Sequence, residues 1–268
     1  MKIVITSILL SLLNLSLFGQ RNLILNPSFE ISSSLPIDII SEGKSYAQDW
    51  FVPNFGTPDY YNSKCDTTYK NQIIEILGYF PKSHSGYACM GFISLSLNGG
   101  MEHITGTLAE PLEENCEYEV SMYVMLGGKN FRLFEGSIIA YFHNEKNSRN
   151  ITLFPEFISL NNLQKQKYLA LSKISSSDSN WTQISGVYHA AGNERYITIG
   201  FFLDKSLKND LKKYNEDQYN KGTNYNVDKL IKKNKDILSF NSSYAGNKND
   251  FFVSYFLIDD VQVTKYNK

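Results

Sequence analysis

Phe251-Phe252-Val253-Ser254-Tyr255-Phe256-Leu257-Ile258-Asp259-Asp260-Val261-Gln262-Val263 is rich in β-branched and aromatic residues and holds neither Gly nor Pro. It reads as one long strand. Side chains alternate along a strand, so Leu257, Asp259, Val261 and Val263 are expected on one face, and Phe256, Ile258, Asp260 and Gln262 on the other. A carboxylate in register with Leu and two Val would be buried, and a buried charge requires a partner or a metal.

The rest of the chain carries the same bias. Tyr (18) and Phe (17) are abundant among its 268 residues, which favours strands over helices. This length suffices for one large all-β domain with a sizeable core. A formal net charge of −1 gives no general affinity for nucleic acid or anionic lipid.

Residues 1–20 read as a signal peptide. Lys2 supplies a positive start, Ile3–Leu17 is mostly apolar, and Gly19 offers a small residue for cleavage near Gly19–Gln20. No later run is apolar enough to be a transmembrane segment, so the expected location is secreted, either extracellular or at the periplasmic or outer surface. In such an oxidising compartment Cys65, Cys89 and Cys116 would form one disulfide and leave one thiol, with three pairings open.

Along the chain, Arg21–Glu30 opens the domain with a short strand and an Asn-Pro turn. Tyr46–Val52 is a strand holding Trp50, and Pro53–Asn62 is turn-rich. Tyr87–Leu97 and Met101–Leu108 flank Asn98-Gly99-Gly100, a hairpin signal. In Cys116–Leu126, residues Tyr118, Val120, Met122, Val124 and Leu126 face one way, and Glu119, Ser121 and Tyr123 the other. In Ser137–His143, Ile138, Ala140 and Phe142 point inward, with Ile139, Tyr141 and His143 outward. Leu160–Leu171 has the spacing of a short helix. Trp181–Ala190 and Arg195–Leu203 are strands joined by a turn, with Tyr196 and Thr198 outward. Nine or ten strands with closely spaced turns define an all-β fold, a two-sheet jelly-roll sandwich over residues 21–268.

Residues 205–250 interrupt that pattern. They hold ten Lys against six Asp/Glu, a local charge of +4, and nine Asn. With weak helical spacing at Val227, Leu230, Ile231 and Leu238, they read as a partly helical Lys/Asn-rich insertion within the one domain.

Asn26-Pro27-Ser28-Phe29-Glu30, Trp181-Thr182-Gln183-Ile184-Ser185-Gly186, Tyr196-Ile197-Thr198-Ile199-Gly200 and Ile258-Asp259-Asp260-Val261 follow one another in an order that resembles the galactose-binding-like jelly rolls, which include many carbohydrate-binding modules. Gly56–Asn62 with Cys65, and Ser85-Gly86-Tyr87-Ala88, look more narrowly like N-terminal β-domains of secreted Bacteroidetes proteins, some of which precede an outer-membrane-protein-A-like domain. The resemblance implies a structural Ca²⁺ where first and last strands meet, with Glu30 and Asp259 as ligands. Calcium takes six to eight oxygens, so carbonyls near Lys44 and Gly86 would complete the shell. The alternative is an Asp259 that accepts hydrogen bonds from a turn or pairs with a Lys.

Sugar binding on such a fold uses rings that stack on pyranose faces and polar groups that fix hydroxyls. Tyr123, Tyr141 and Tyr196, with Glu119 and His143, would supply both if their strands are neighbours. Tyr60 and Tyr61 are further aromatic candidates, while Trp50 and Trp181 are expected in the core. A Tyr-bearing sheet face without any ligand is the plain alternative. No paired carboxylates, G-x-S-x-G or H-E-x-x-H stand out for hydrolysis. The sequence therefore reads as a secreted, non-catalytic module whose partner is a glycan at the cell surface. The rival is a structural or adhesive surface protein that contacts other proteins.

Overall fold

The computed structural model describes residues 20–37, 46–53, 56–96, 101–127, 137–146, 168–173, 180–202 and 253–266, with single positions at 209, 210 and 213. Among the described residues the elements in chain order are β1 (Trp50–Phe51), β2 (Asp59–Asn62), α1 (Thr67–Leu77), β3 (Ala88–Ser96), β4 (His103–Thr107), β5 (Glu117–Leu126), β6 (Ser137–His143), β7 (Tyr168–Lys173), β8 (Thr182–His189), β9 (Tyr196–Gly200) and β10 (Val253–Lys265). They form two antiparallel sheets, a front sheet β1-β4-β9-β6-β7 and a back sheet β2-β3-β10-β5-β8. This is the two-layer, jelly-roll-like sandwich that the strand pattern implies.

Alternation builds the core. Tyr118, Val120, Met122 and Val124 of β5 meet Ile138, Ala140 and Phe142 of β6 and Ile197 and Ile199 of β9, all buried in one cluster with Trp50. The chain's two ends are stitched together beside it. Leu23 N–H donates to Val263 O (2.8 Å), Asn22 Nδ2 to Val261 O (2.9 Å), and Val261 N–H to Pro27 O (3.0 Å).

Strand β10 is the centre of the back sheet, but its parity breaks. Phe256 and Ile258 point into the main core, and so do Val261 and Val263. One extra residue is absorbed by an irregularity between Asp259 and Gln262, where Asp260 takes φ +48°, as in a β-bulge. The reading that grouped Leu257 and Asp259 with Val261 and Val263 is thereby corrected. Leu257 and Tyr255 point away from the sandwich into a second, smaller cluster with Tyr69, Ile73 and Leu77.

That second cluster lies under α1, a helix that the strand pattern does not predict. Asp66 caps its start by accepting from Tyr69 N–H (2.8 Å), and Gly78 ends it at φ +80° with its N–H on Ile74 O. Tyr69, Ile73 and Leu77, four residues apart, are its buried stripe.

Three further expectations are corrected. β3 and β4 do not form a hairpin: β3 pairs with β2 and β10 in the back sheet, β4 with β1 and β9 in the front. Tyr168–Lys173 is a strand, so the expected helix does not cover Tyr168–Leu171; residues 160–167 lie outside the described residues. Instead of a first strand at Arg21–Glu30 there is a single bridge, Ile24 to Leu108, and a turn closed by Phe29 N–H to Asn26 O. The turn expected at Asn98–Gly100 and all but three positions of the Lys/Asn-rich insertion fall outside the described residues.

Candidate functional site

Two arrangements on the sandwich carry chemistry. The first is a clamp of carboxylates around residues 84–88. Asp259, 0% exposed, accepts from the backbone N–H groups of His84 (2.9 Å) and Ser85 (3.1 Å) on Oδ2 and of Asp260 (2.8 Å) on Oδ1. Glu30 Oε1 accepts from Tyr87 N–H (2.6 Å) and Ala88 N–H (2.9 Å). Between these contacts sits Gly86 at φ +56°, where a Cβ would stand 2.3 Å from Glu30 Oε1. Only glycine admits both the conformation and the carboxylate.

Asp260, at the irregularity, completes the clamp. It accepts from Ser28 Oγ (2.6 Å), Ser85 Oγ (2.7 Å) and His84 Nδ1 (2.5 Å). Burial works against its charge, yet these donors together hold its carboxyl below the usual carboxylate range. Burial pushes Asp259 the other way, up to about 8, against the pull of its N–H donors. The His84 ring lies flat on Tyr123 (centroids 3.6 Å, 14°), and Trp181 meets His84 edge-on at 6.0 Å.

The second arrangement is a row of rings on the outward face of the front sheet. Phe51 meets Tyr196 at 5.8 Å, Tyr196 meets His143 at 5.6 Å, and His143 meets Tyr141 at 5.3 Å. The row crosses from β1 to β9 to β6 because His143 and Tyr196 are direct cross-strand partners. Buried polar groups underlie it: Thr105, Thr198 and His143 are hydrogen-bonded in series. His103, on the same strand as Thr105, donates through Nε2 to Phe201 O (3.0 Å), because a carbonyl only accepts. Burial lowers its pKa to about 4.

The seven aromatic and polar candidates from the sequence thus fall into three places. Tyr141, His143 and Tyr196 come together on the front face. Tyr123 and Glu119 are on β5 in the back sheet, with Tyr123 already covered on one side by His84, so the expected five-residue group is split. Tyr60 and Tyr61 are not exposed rings. Tyr60 is in the main core, donating to Phe29 O, and Tyr61 is in the cluster under α1, because Asp59–Asn62 is a strand with both faces covered. Trp50 is buried, but Trp181 is only partly so, lying outside the main core with Nε1 donating to Lys82 O (3.2 Å). Phe51 belongs to the row and His84 to the clamp, and no motif in the sequence marks either.

Two more carboxylates are withdrawn from water: Asp59, half-buried on the edge strand β2, and Glu102, buried just before β4. Asp59 Oδ2 accepts from Tyr255 (2.5 Å) and Tyr61 (3.1 Å), and burial raises its pKa to about 7. Glu102 accepts from Thr57 N–H and Ile93 N–H and is likewise raised by burial. Cys65 and Cys89 are buried and Cys116 partly so; all three are free thiols, and no disulfide forms among the described residues.

The chain is therefore a two-sheet antiparallel sandwich carrying an aromatic face and a terminal carboxylate clamp. No protein-family model matches the chain, and no curated protein does. Among solved structures it is similar to the CBM22-1 xylan-binding domain of Paenibacillus barcinonensis Xyn10C, with 10% identity, 93% of this chain and 99% of that one covered, and a TM-score of 0.40. It is also similar to the K1 cleaved adhesin domain of the Lys-gingipain of Porphyromonas gingivalis W83 (11% identity, 90% and 96% covered, TM-score 0.37). A Stig cyclase, Fisc, from Fischerella sp. TAU is a third (11% identity, 92% and 98% covered, TM-score 0.45). No helix among the described residues is long and apolar enough to cross a membrane.

Proposed function

We propose that this is a secreted, non-catalytic binding module whose front sheet takes a carbohydrate at the cell surface. The observation that carries this is the row Phe51–Tyr196–His143–Tyr141, rings at 5.3–5.8 Å spacing on an outward sheet face. Phe51, Tyr196 and Tyr141, each half-buried, offer ring surface for pyranose faces, with the buried His143 packed between the tyrosines, while tyrosine hydroxyls supply polar contacts. Successive sugar units would lie across the strands, along the row. A glycan array tests this, with Tyr141→Ala and Tyr196→Ala as variants. Retention of a glycan by the wild type and its loss in both variants is the expected result. Silence of the array, with capture of a defined envelope protein, would replace this reading by the adhesive one, and turnover of a polysaccharide would overturn both.

A structural Ca²⁺ belongs to the same reading. Glu30 and Asp259 reach the 84–88 segment from the two ends of the chain, and no Lys or Arg pairs with either among the described residues. With no cationic side chain against them, these carboxylates suit a hard cation beside the N–H groups they already accept, and burial raises the pKa of Asp259. Glu30 and Asp259 would hold the ion, which would fix the junction of the first and last strands. Among the described residues there is no group of three or more His, Cys, Asp or Glu placed for an ion, so carbonyl oxygens would supply most of the shell. Lys44, expected to contribute one, lies outside the described residues.

A further inference from the structure

The hydrogen bonds beneath the aromatic row have a direction. His143 Nδ1 is 2.8 Å from the backbone carbonyl of Glu145, and a carbonyl only accepts, so Nδ1 carries a hydrogen. In a neutral imidazole Nε2 then holds a lone pair. Its neighbour at 2.8 Å is Thr198 Oγ1, which must donate. Thr198 Oγ1 in turn lies 2.7 Å from Thr105 Oγ1 and accepts the hydrogen of that hydroxyl. Every hydrogen in the series Thr105, Thr198, His143, Glu145 is used once. If the ring were flipped or carried its hydrogen on Nε2, the Thr198 hydroxyl would have to turn back towards Thr105. The Thr105 hydroxyl, with the residue 0% exposed, would then have no acceptor among the described residues, which burial penalises.

We infer that Thr105 and Thr198 are positioning residues that, with the Glu145 carbonyl, hold His143 as the neutral Nδ1–H tautomer, both nitrogens committed, so that its buried ring braces Tyr141 and Tyr196 and offers no hydrogen bond to a ligand. The consequence for ligand capture rests on the carbohydrate reading of the face; the tautomer does not. Neither threonine presents a group to a ligand itself, since both are buried. They act through the ring that stands between Tyr141 and Tyr196.

Long-range ¹H–¹⁵N correlation spectra of the full chain at neutral pH read the tautomer without any ligand. The expected spectrum has a pyrrole-like Nδ1 and a pyridine-like Nε2 at His143. Thr198→Val, which keeps the shape and removes the donor, should move the two nitrogens towards a common averaged shift. Thr198→Ser should leave them as in the wild type. A hydrogen on Nε2 in the wild type, or a Thr198→Val spectrum that does not move, would overturn the inference. Should Thr198→Val fail to fold, Thr105→Val against Thr105→Ser asks the same question one link further away. On any array glycan that the wild type retains, Thr198→Val is expected to bind about tenfold more weakly than Thr198→Ser. An array with no retained glycan sinks the carbohydrate reading and leaves the tautomer result standing.

Discussion

The hydroxyl of Tyr255 fills the space in front of Gly91, where an added Cβ would stand only 1.9 Å from it. The same ring is tight against Gly127, whose Cβ would lie 2.4 Å from Tyr255 Cδ1. The hydroxyl cannot simply swing away, because it bonds both Tyr61 (2.6 Å) and Asp59 (2.5 Å) in a buried site. Gly91→Ala therefore overpacks a fixed, hydrogen-bonded tyrosine and should cost at least ~1–3 kcal/mol. Urea denaturation measures it, and a loss under ~0.5 kcal/mol would mean that Tyr255 is free to move.

Stability should fall as pH rises. Asp259 is raised to about 8 and Asp59 to about 7, both chiefly by burial, and Glu102 is raised for the same reason. Each binds its proton more tightly folded than unfolded, so the folded state holds more protons between about 4 and about 8. The contribution is whole below the unfolded-state pKa near ~4 and disappears as pH climbs through the folded value. Asp260 runs the opposite way, being lowered, so its contribution is present at neutral pH and lost on acidification. In the presence of chelator, the melting temperature is expected to drop from pH 5 to pH 8.5, and Asp259→Asn to flatten that slope. A slope unchanged in Asp259→Asn would show that this carboxyl is not the one titrating.

Much of this was readable from residue order. Strict alternation in Tyr118–Val124 and Ile138–Phe142 placed both strands and their inward faces correctly, because a period of two leaves a buried sheet little choice of register. The parity of β10 was not readable. Nothing in Ile258-Asp259-Asp260-Val261 announces that Asp260 takes a positive φ and shifts the downstream side chains, which puts Val261 and Val263 on the face opposite Asp259. Helix α1 has start, face and stop signals in the sequence, Asp66, the Tyr69–Ile73–Leu77 stripe and Gly78, against a composition biased to strands. Which outward aromatics share a face could not be read, because alternation gives each strand's inward side without saying which sheet the strand joins.

The split between front and back sheets separates two tyrosines that the sequence treated alike. Tyr123 holds the His84 ring at 3.6 Å, and His84 holds Asp260. Removing it should loosen the 84–88 segment. Tyr123→Ala is expected to lower stability by ~1–3 kcal/mol and to leave any array binding intact, whereas Tyr141→Ala should do the reverse. Loss of glycan retention in Tyr123→Ala, with an unchanged melting temperature, would move the binding face to the back sheet.

Calcium supplies the most direct probe of the terminal clamp. An ion bound only by the folded state at one hundred times its dissociation constant adds ~2.7 kcal/mol, which for a chain of this size raises the melting temperature by roughly 5–10 °C. The increase should be reversed by chelator and be greater at pH 8.5 than at pH 5, since binding requires Asp259 as carboxylate and protonation competes for it below about 8. Glu30→Gln and Asp259→Asn should each abolish the increment. Asp260→Asn should spare it while weakening the fold, because Asp260's oxygens are engaged by Ser28, Ser85 and His84. If wild type melts at one temperature with calcium, with magnesium and with chelator at pH 8.5, the clamp holds no ion, and the three N–H donors to Asp259 alone offset the cost of burying it.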